Sequence, residues 1–217
     1  MRIAAIDVGT NTAQLLVADV TDDGLERVHV AERFVRLGEG VDASGRIGDA
    51  ALDRLIATLR EHSETAADLG ADTVLVAATS ASRDAANRDD VVRRVQQETG
   101  LPYEILSGDE EATWSFAAAT APFSNLNGPC LVVDVGGGST ELVAGTDPAG
   151  HAPHAERAIT TRVSLDIGCI RLTERYFSGQ PPERGDVDAA RDAIHALLDR
   201  LSLTGPAADT HPAPTLI

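Results

Sequence analysis

Two segments of this chain repeat one pattern, and the repeat constrains the fold more than any other feature. Residues 6–17 recur as residues 133–144, which lie 127 positions further along the chain. Each segment is an apolar strand that ends on Asp, a tight turn of Gly and hydroxyl residues, and a second apolar strand. Such a turn leaves backbone N–H groups free to converge on an anion. The repeat therefore predicts two similar half-molecules, with a cleft between them that binds a phosphate chain from both sides.

The composition limits the class of protein and the way in which it can bind an anion. With 217 residues, of which 43% are hydrophobic and 24% charged, the chain is typical of a globular protein with one large domain or two modest ones. The net charge is −16 and there is no lysine, which disfavours nucleic-acid binding and excludes a Walker-type P-loop. A polyanionic substrate must then be held by local donors, a few Arg side chains and a divalent cation.

The sequence also indicates a cellular compartment. No apolar stretch approaches the roughly 18 residues of a membrane helix, so we expect no membrane association. Cys130 and Cys169 are the only cysteines, so we expect no disulfide framework and a reducing, cytoplasmic compartment. Cys169 is expected to be a small buried residue, because no His or Asn partner pattern marks it as a nucleophile.

Strands alternate with helices in both halves of the chain, which predicts an α/β fold. Hydrophobic periodicity places strands at 3–8, 13–20, 27–36, 73–78, 103–106, from 131, at 157–164 and at 215–217. It places helices at 49–69, 89–98, 109–120, 169–177 and 186–203. The segment 121–129 carries two prolines, two asparagines and a glycine, as linkers do. We therefore expect one domain over 1–125 and a second over 126–217.

The second turn of the repeat carries more chemistry than the first. Alone, the first turn (9–12) could be an ordinary β-hairpin turn, with Gly9 and Asn11 supplying its unusual dihedral angles. The second turn contains three consecutive glycines, which cost backbone entropy and allow a close approach to a ligand. Asp134 at the end of one strand and Glu141 on the next could share a hard cation, which prefers carboxylate oxygens.

Two segments between the turns carry further candidate residues, each with an ordinary structural alternative. Arg83 follows a strand of the buried, parallel type, at the kind of strand end where α/β folds bind ligands. Its guanidinium could bind a phosphate or form a surface salt bridge. Ser107 and Glu110 have the spacing of a helix capping box, while one of the acids at 109–111 could serve as a general base. The spacing alone favours the cap.

The remaining candidates are weaker. The six histidines lack the spacing of metal ligands, and most are expected at the surface. Trp114 and Phe116 lie on the predicted helix 109–120 and are expected in its core.

Taken in order, these motifs resemble those of the exopolyphosphatase/guanosine pentaphosphatase (Ppx/GppA) family. The matching segments are 7–12, 36–41, 79–87, 107–112, 134–141 and 164–174. This family lies within the actin-like, sugar-kinase superfamily. The resemblance therefore implies two ribonuclease-H-like (actin-like ATPase) lobes with an interlobe cleft.

The resemblance also implies a reaction and roles for particular residues. The reaction is the magnesium-dependent hydrolysis of the terminal phosphoanhydride of inorganic polyphosphate or of guanosine pentaphosphate. By this match Glu111 is the general base for the attacking water and Arg83 binds the phosphate chain. Asp134 and Glu141 would hold Mg²⁺. The phosphate-binding residues would be Gly9, Thr10, Asn11, Thr12, Gly136, Gly137, Gly138, Ser139 and Thr140.

The chain departs from the family pattern in two places. Thr10 and Thr12 replace the commoner serines and keep their hydroxyl groups. In related sequences a strand like 215–217 continues into a further loop and several helices, so we expect a truncated second lobe. Truncation favours an alternative function, a polyphosphate- or nucleotide-binding protein with little turnover. A small-molecule kinase of the same superfamily is a second alternative. A half-built lobe would also expose apolar surface, which favours association, for example as a homodimer.

Overall fold

The computed structural model describes residues 1–22, 24–123, 128–146, 158–201 and 215–216. It divides the chain into two compact units, Met1–Leu106 and Ser107–Ile217. Within the described residues, no helix has the length and apolar character needed to cross a membrane.

The first unit is built on a five-stranded mixed sheet. Its strands lie in the order β3-β2-β1-β4-β5, with β1 pairing antiparallel to β2 and parallel to β4. Their bounds are β1 Arg2–Val8, β2 Thr12–Thr21, β3 Gly24–Phe34, β4 Thr73–Ala78 and β5 Glu104–Ile105. All five strands were expected from the sequence, and the parallel pairing of β4 is confirmed.

Four helices complete the first unit: α1 Val41–Ser44, α2 Asp49–Asp68, α3 Ser80–Asp84 and α4 Arg88–Thr99. Helix α2 buries Leu52, Leu55 and Leu59, at the spacing that places side chains on one helix face. This confirms the predicted helix 49–69. Helices α1 and α3 were not predicted, because four or five residues are too few to show helical periodicity. Most of the histidines were expected at the surface, but His62 is 1% exposed. Its Nε2–H donates to the carbonyl oxygen of Ala13 over 3.3 Å.

The second unit has a four-stranded sheet in the order β8-β7-β6-β9. Its elements are α5 Gly108–Thr120, β6 Pro129–Val135, β7 Thr140–Thr146, β8 Ala158–Leu165, α6 Cys169–Tyr176, α7 Arg184–Leu198 and β9 Thr215–Leu216. One face of the sheet packs on α5, through Phe116 and Val132. The other face packs Leu142 and Leu165 against apolar residues of α6 and α7.

The boundary between the units differs from the predicted one. The predicted boundary at 125/126 was placed at a Pro- and Asn-containing segment, of which residues 124–127 lie outside the described residues. The structure divides the chain at Leu106/Ser107, because α5 buries Ala112 and Phe116 against the second sheet.

Two expectations about individual side chains were wrong. Trp114 is 56% exposed. Helix α5 buries Ala112, Phe116 and Thr120, which are four residues apart, and Trp114 lies midway between two of them. Cys169 is exposed rather than buried, because it is the first residue of α6.

The sequence repeat corresponds to a structural repeat. In both units three antiparallel strands are followed by a parallel one, and the first two strands pair in the same register. Asp7 pairs with Gln14 as Asp134 pairs with Glu141. The third strand of each unit carries a β-bulge at the equivalent place. In the first unit the bulge lies opposite Val17/Ala18 of β2, and in the second unit it lies opposite Ala144/Gly145 of β7.

Candidate functional site

The first loop, residues 9–12, is closed by a hydrogen bond from the Gly9 N–H to the Thr12 carbonyl (2.9 Å). The segment after β3 packs against it: the Gly38 N–H donates to the Thr10 carbonyl over 2.8 Å. A Cβ on Gly38 would lie 2.2 Å from Cγ2 of Thr10, so any other residue here would force the Thr10 side chain to move. Arg36, in the same segment, has a φ of 47°, which is unusual for a non-glycine residue.

The second loop, residues 136–139, has the same closure. The Gly136 N–H donates to the Ser139 carbonyl over 2.9 Å. The start of α6 packs against this loop, and the Ile170 N–H donates to the Gly137 carbonyl over 2.9 Å. A Cβ on Gly168 would lie 2.3 Å from the carbonyl carbon and oxygen of Gly137. Gly168 thus closes on the second loop as Gly38 closes on the first.

A row of three polar residues crosses the second sheet beside this loop. Asp134 of β6 pairs with Glu141 of β7, and Glu141 pairs with Ser164 of β8. Directly paired residues point to the same face of a sheet, with Cβ atoms roughly 5 Å apart. The row lies on the same face of the sheet as the residues that α5 covers. Val132 lies two residues before Asp134, Val143 lies two residues after Glu141, and both pack on that helix.

Glu141 is a buried carboxylate, with 2% of its surface exposed. Its Oε1 accepts a hydrogen bond of 2.7 Å from the Ser164 hydroxyl. Burial is the main cause that raises the pKa of Glu141 above its ordinary value, and the charges of Glu111 and Asp134 raise it further. The Ser164 hydrogen bond acts in the opposite direction by stabilising the charged form. The neighbouring Asp134 is exposed, and its Oδ2 accepts a hydrogen bond of 2.6 Å from Ser115 of α5.

The start of α5 resolves which acid caps the helix. Ser107 and Glu110 form the predicted capping box: the Glu110 backbone N–H donates to the Ser107 hydroxyl, and the Ser107 N–H donates to the Glu110 carboxylate. These bonds lower the pKa of Glu110 below its ordinary value. Glu111 follows in the first helical turn, and its charge acts on Glu141. Glu110 is therefore engaged by the cap, whereas Glu111 lies beside the carboxylate row.

Arg83 lies in the last turn of α3, after the carboxyl end of β4. The Thr79 N–H, at the start of this segment, donates to the carbonyl of Val8, directly before the first loop. The Arg83 backbone N–H donates to the Thr79 carbonyl over 3.0 Å, and its Nη1 donates to the Leu106 carbonyl over 3.2 Å. The first unit thus brings the Arg83 segment and the first loop to the ends of two neighbouring parallel strands, β4 and β1.

The structure brings the predicted residues together in two groups, one in each unit. The first unit holds Gly9–Thr12 and the Arg83 segment. The second unit holds Glu111, Asp134, Glu141 and the loop of Gly136–Thr140. Two polar partners were missed by the sequence reasoning, Ser115 and Ser164. Ser164 opens one of the matching segments, but its pairing with Glu141 depends on strand register, which a sequence does not display.

The donor set fits a magnesium ion rather than a cation held in a cage of protein ligands. Among the side chains that the structure describes, no group of three or more His, Cys, Asp and Glu residues could hold a metal ion. Asp134 and Glu141 offer two hard carboxylates on one face, and their charges interact. Mg²⁺ is typically bound through one or two carboxylates, with water and substrate phosphates completing its octahedron. The residues present therefore suit Mg²⁺ bound together with a phosphate.

Curated relatives resemble this chain over most of its length. Exopolyphosphatase 2 of Mycobacterium tuberculosis is 40% identical over 215 residues, which cover 94% of this chain and 64% of the relative. Exopolyphosphatase 1 of the same organism is 36% identical over 205 residues, covering 94% of this chain and 57% of the relative. The chain therefore spans less than two thirds of the length of these relatives.

Solved structures confirm the fold. The crystal structure of an exopolyphosphatase-like protein has a TM-score of 0.86 and 37% identity, covering 99% of this chain and 64% of that chain. The Ppx/GppA family member of Aquifex aeolicus has a TM-score of 0.70 and 30% identity, covering 91% of this chain and 61% of that one. The ethanolamine utilization protein EutJ of Carboxydothermus hydrogenoformans, at 16% identity and a TM-score of 0.52, shares the actin-like fold. The model of the Ppx/GppA phosphatase family matches residues 16–208, so the chain belongs to that family.

Proposed function

We propose that this chain takes part in the magnesium-dependent hydrolysis of the terminal phosphoanhydride bond of inorganic polyphosphate. The observation that carries the proposal is the position of Glu111 beside the carboxylates of Asp134 and Glu141, next to a glycine-rich loop. The relatives named exopolyphosphatase support the substrate class.

Asp134 and Glu141 would hold the Mg²⁺, which supplies charge neutralisation and orientation of the phosphate oxygens when bound. The backbone N–H groups of residues 136–139 would bind oxygens of the terminal phosphate. Glu111 would accept a proton from the attacking water. The water oxygen then bonds to the terminal phosphorus, and the bond from that phosphorus to the bridging oxygen breaks. The products are orthophosphate and a chain that is one phosphate shorter.

Glu111 is a better candidate for the base than Glu110. The carboxylate of Glu110 accepts hydrogen bonds from both the backbone N–H and the hydroxyl of Ser107 (2.8 and 2.7 Å). These bonds stabilise the charged form and lower the pKa of Glu110 below its ordinary value. The charge of Glu111, in contrast, acts on Glu141 of the carboxylate row.

The first unit would contribute phosphate-binding groups. We propose this role for the loop of residues 9–12 and for Arg83, whose guanidinium can bind phosphate oxygens in a bidentate manner. Because the chain has no lysine, arginine is the only side chain that can supply a permanent positive charge to such a substrate.

Phosphate release tests the proposal directly. The 217-residue chain is incubated with polyphosphates of defined length and with guanosine pentaphosphate, in Mg²⁺ and in EDTA. We expect Mg²⁺-dependent release from polyphosphate, and a decrease of about 100- to 10,000-fold for Glu111→Gln. Glu110→Gln is the matched control, because Gln also serves in a capping box. Release from guanosine pentaphosphate alone would reassign the substrate. A folded chain that binds polyphosphate and releases none would support the binding function.

A further inference from the structure

We propose that Ser115 and Ser164 are positioning residues, which orient the carboxylates of Asp134 and Glu141 toward one metal ion. This inference rests on the proposed function, because it concerns the metal site of that reaction. Each serine comes from a different element, Ser115 from α5 and Ser164 from β8. Neither hydroxyl is assigned to the metal or to the substrate.

Ser164 fixes the orientation of Glu141. Its hydroxyl donates to Oε1 over 2.7 Å, and a hydroxyl has a single proton to donate. Because Glu141 is buried, few solvent molecules can replace this bond. Ser164 thus holds one carboxylate oxygen from the β8 side, and a hydrogen bond from Ser139 of the second loop also acts on this carboxylate.

Ser115 has the corresponding role for Asp134. Its hydroxyl donates to Oδ2 over 2.6 Å, the short distance typical of a bond to a charged oxygen. Asp134 is exposed, so without this bond its carboxylate would be free to rotate in solvent. Ser115 lies four residues after Glu111, and side chains at this spacing lie on the same side of a helix. The helix that carries the proposed base therefore also holds one of the proposed metal ligands.

Helix α5 also contacts the second serine directly. A Cβ on Gly108, the first residue of α5, would lie 2.8 Å from Cβ of Ser164 and 3.2 Å from its hydroxyl oxygen. Only glycine lets the helix come this close without moving Ser164. An ion pair of 3.2 Å between Arg162 of β8 and Asp109 of α5 joins the same two elements. Helix α5 thus sets the position of Glu111 relative to both carboxylates.

Metal binding by the full 217-residue chain tests this inference without relying on turnover. Mn²⁺ is used as the probe in the presence of inorganic phosphate, and its binding is followed by electron paramagnetic resonance. We expect Ser164→Ala and Ser115→Ala each to weaken Mn²⁺ binding about 10-fold, because partners that orient metal ligands typically contribute 10- to 100-fold to affinity. In kinetics, the Mg²⁺ concentration for half-maximal rate should rise by a similar factor, with a smaller change in the rate at saturating Mg²⁺.

Three further variants separate positioning from loss of structure. Ser115→Thr keeps the hydroxyl and should restore binding to within about 2-fold of the parent chain. Gly108→Ala shows the signature of lost structure: it should weaken Mn²⁺ binding and also lower the melting temperature, because the new Cβ would lie 2.8 Å from Cβ of Ser164 and one of the two must move. Ser178→Ala is the matched control, since Ser178 makes the same kind of bond, 3.1 Å long, to Asp186 at the surface. It should leave Mn²⁺ binding unchanged.

The outcomes distinguish the inference from the proposed function. If Asp134→Asn abolishes Mn²⁺ binding while both serine-to-alanine variants bind as the parent chain does, the positioning role is wrong and the metal site stands. If Asp134→Asn binds Mn²⁺ as tightly as the parent, or the parent binds none, the metal site itself is wrong and both proposals are overturned.

Discussion

Asp134 lies directly opposite Glu141 in the antiparallel pair of β6 and β7, so that two carboxylates share one face of the second sheet. The first unit has the same pairing between Asp7 and Gln14, where the second carboxylate is replaced by an amide. The third strand differs as well. In the first unit Gln14 donates a hydrogen bond of 3.0 Å to Glu32 of β3, whereas in the second unit Glu141 accepts one from Ser164 of β8. The two units therefore share geometry and differ in charge.

We predict that Glu141→Gln stabilises the chain while it abolishes magnesium-dependent activity. Burial raises the pKa of Glu141, so the folded state binds its proton more tightly than the unfolded state does. The carboxylate therefore opposes folding at pH values above this raised pKa, and its effect disappears below the ordinary Glu value of about 4.3. In EDTA, the variant should melt at a higher temperature than the parent at pH 8 and at the same temperature near pH 4. A variant that is less stable at pH 8 would contradict this.

Gly168→Ala should damage the second loop more than Gly38→Ala damages the first. A Cβ at position 168 would meet the backbone of Gly137 at 2.3 Å, and backbone atoms cannot rotate away. At position 38 the contact is with the Thr10 methyl group, which another rotamer of Thr10 can relieve. We expect Gly168→Ala to cost about 1–3 kcal/mol in unfolding free energy, measured by urea titration, and Gly38→Ala to cost less. Gly179→Ala, with no atom within 4 Å of the new Cβ, is the control.

His62 should make the stability of the chain depend on pH near neutrality. Burial is the main cause that lowers its pKa below the ordinary value of 6.5, against the opposing effect of its bond to the Ala13 carbonyl. As the pH falls below about 6.5, the unfolded state takes up a proton before the folded state does, so stability decreases. His62→Leu should reduce the slope of the unfolding free energy against pH, between pH 7 and the lowered pKa of His62. His195→Leu, at an exposed position, should keep it; equal slopes for the parent and His62→Leu would refute the assignment.

Arg83→Gln should raise KM for polyphosphate about 10-fold or more, since a hydrogen bond to a charged group contributes roughly 1.5–3 kcal/mol. Arg83→Lys should restore only part of this affinity, because an ammonium group lacks the bidentate geometry of guanidinium. Arg88→Gln is the matched control: its ion pair with Asp89 is 3.9 Å long and exposed to solvent, so little change is expected. An Arg83→Gln chain with the KM of the parent would rule out a phosphate-binding role.

The repeat and the periodic segments predicted most of the fold. Helix α2 and strand β4 were expected at nearly the residues where they lie, because long amphipathic periods and short apolar runs are local signals. The unit boundary was not predicted correctly by composition. The Pro- and Asn-containing segment after α5 resembles a linker, yet the helix before it packs on the sheet after it. Which sheet a helix covers is a matter of tertiary packing.

The candidate site was predicted in its charged residues and not in its hydroxyl partners. The capping box around Ser107 and Glu110 depends on a spacing of three residues, so it could be read directly. The core position predicted for Trp114 was wrong, because this residue falls between the buried positions of α5. Ser115 and Ser164 meet carboxylates 19 and 23 positions away in the chain. Those contacts follow from strand register and helix placement, for which the sequence offers no local sign.

The bulge in β8 decides which side chain Glu141 meets. Because Ala144 pairs with Thr161 and Gly145 with Ile159, Thr160 is an extra residue on the third strand. A shift of one position turns every side chain of a strand to the opposite face. Inserting one residue between this bulge and Ser164 would thus place Val163 opposite the buried carboxylate of Glu141. Deleting one residue would place Leu165 there. The number of residues from Thr160 to Ser164 therefore matters to the site as much as the hydroxyl group at its end.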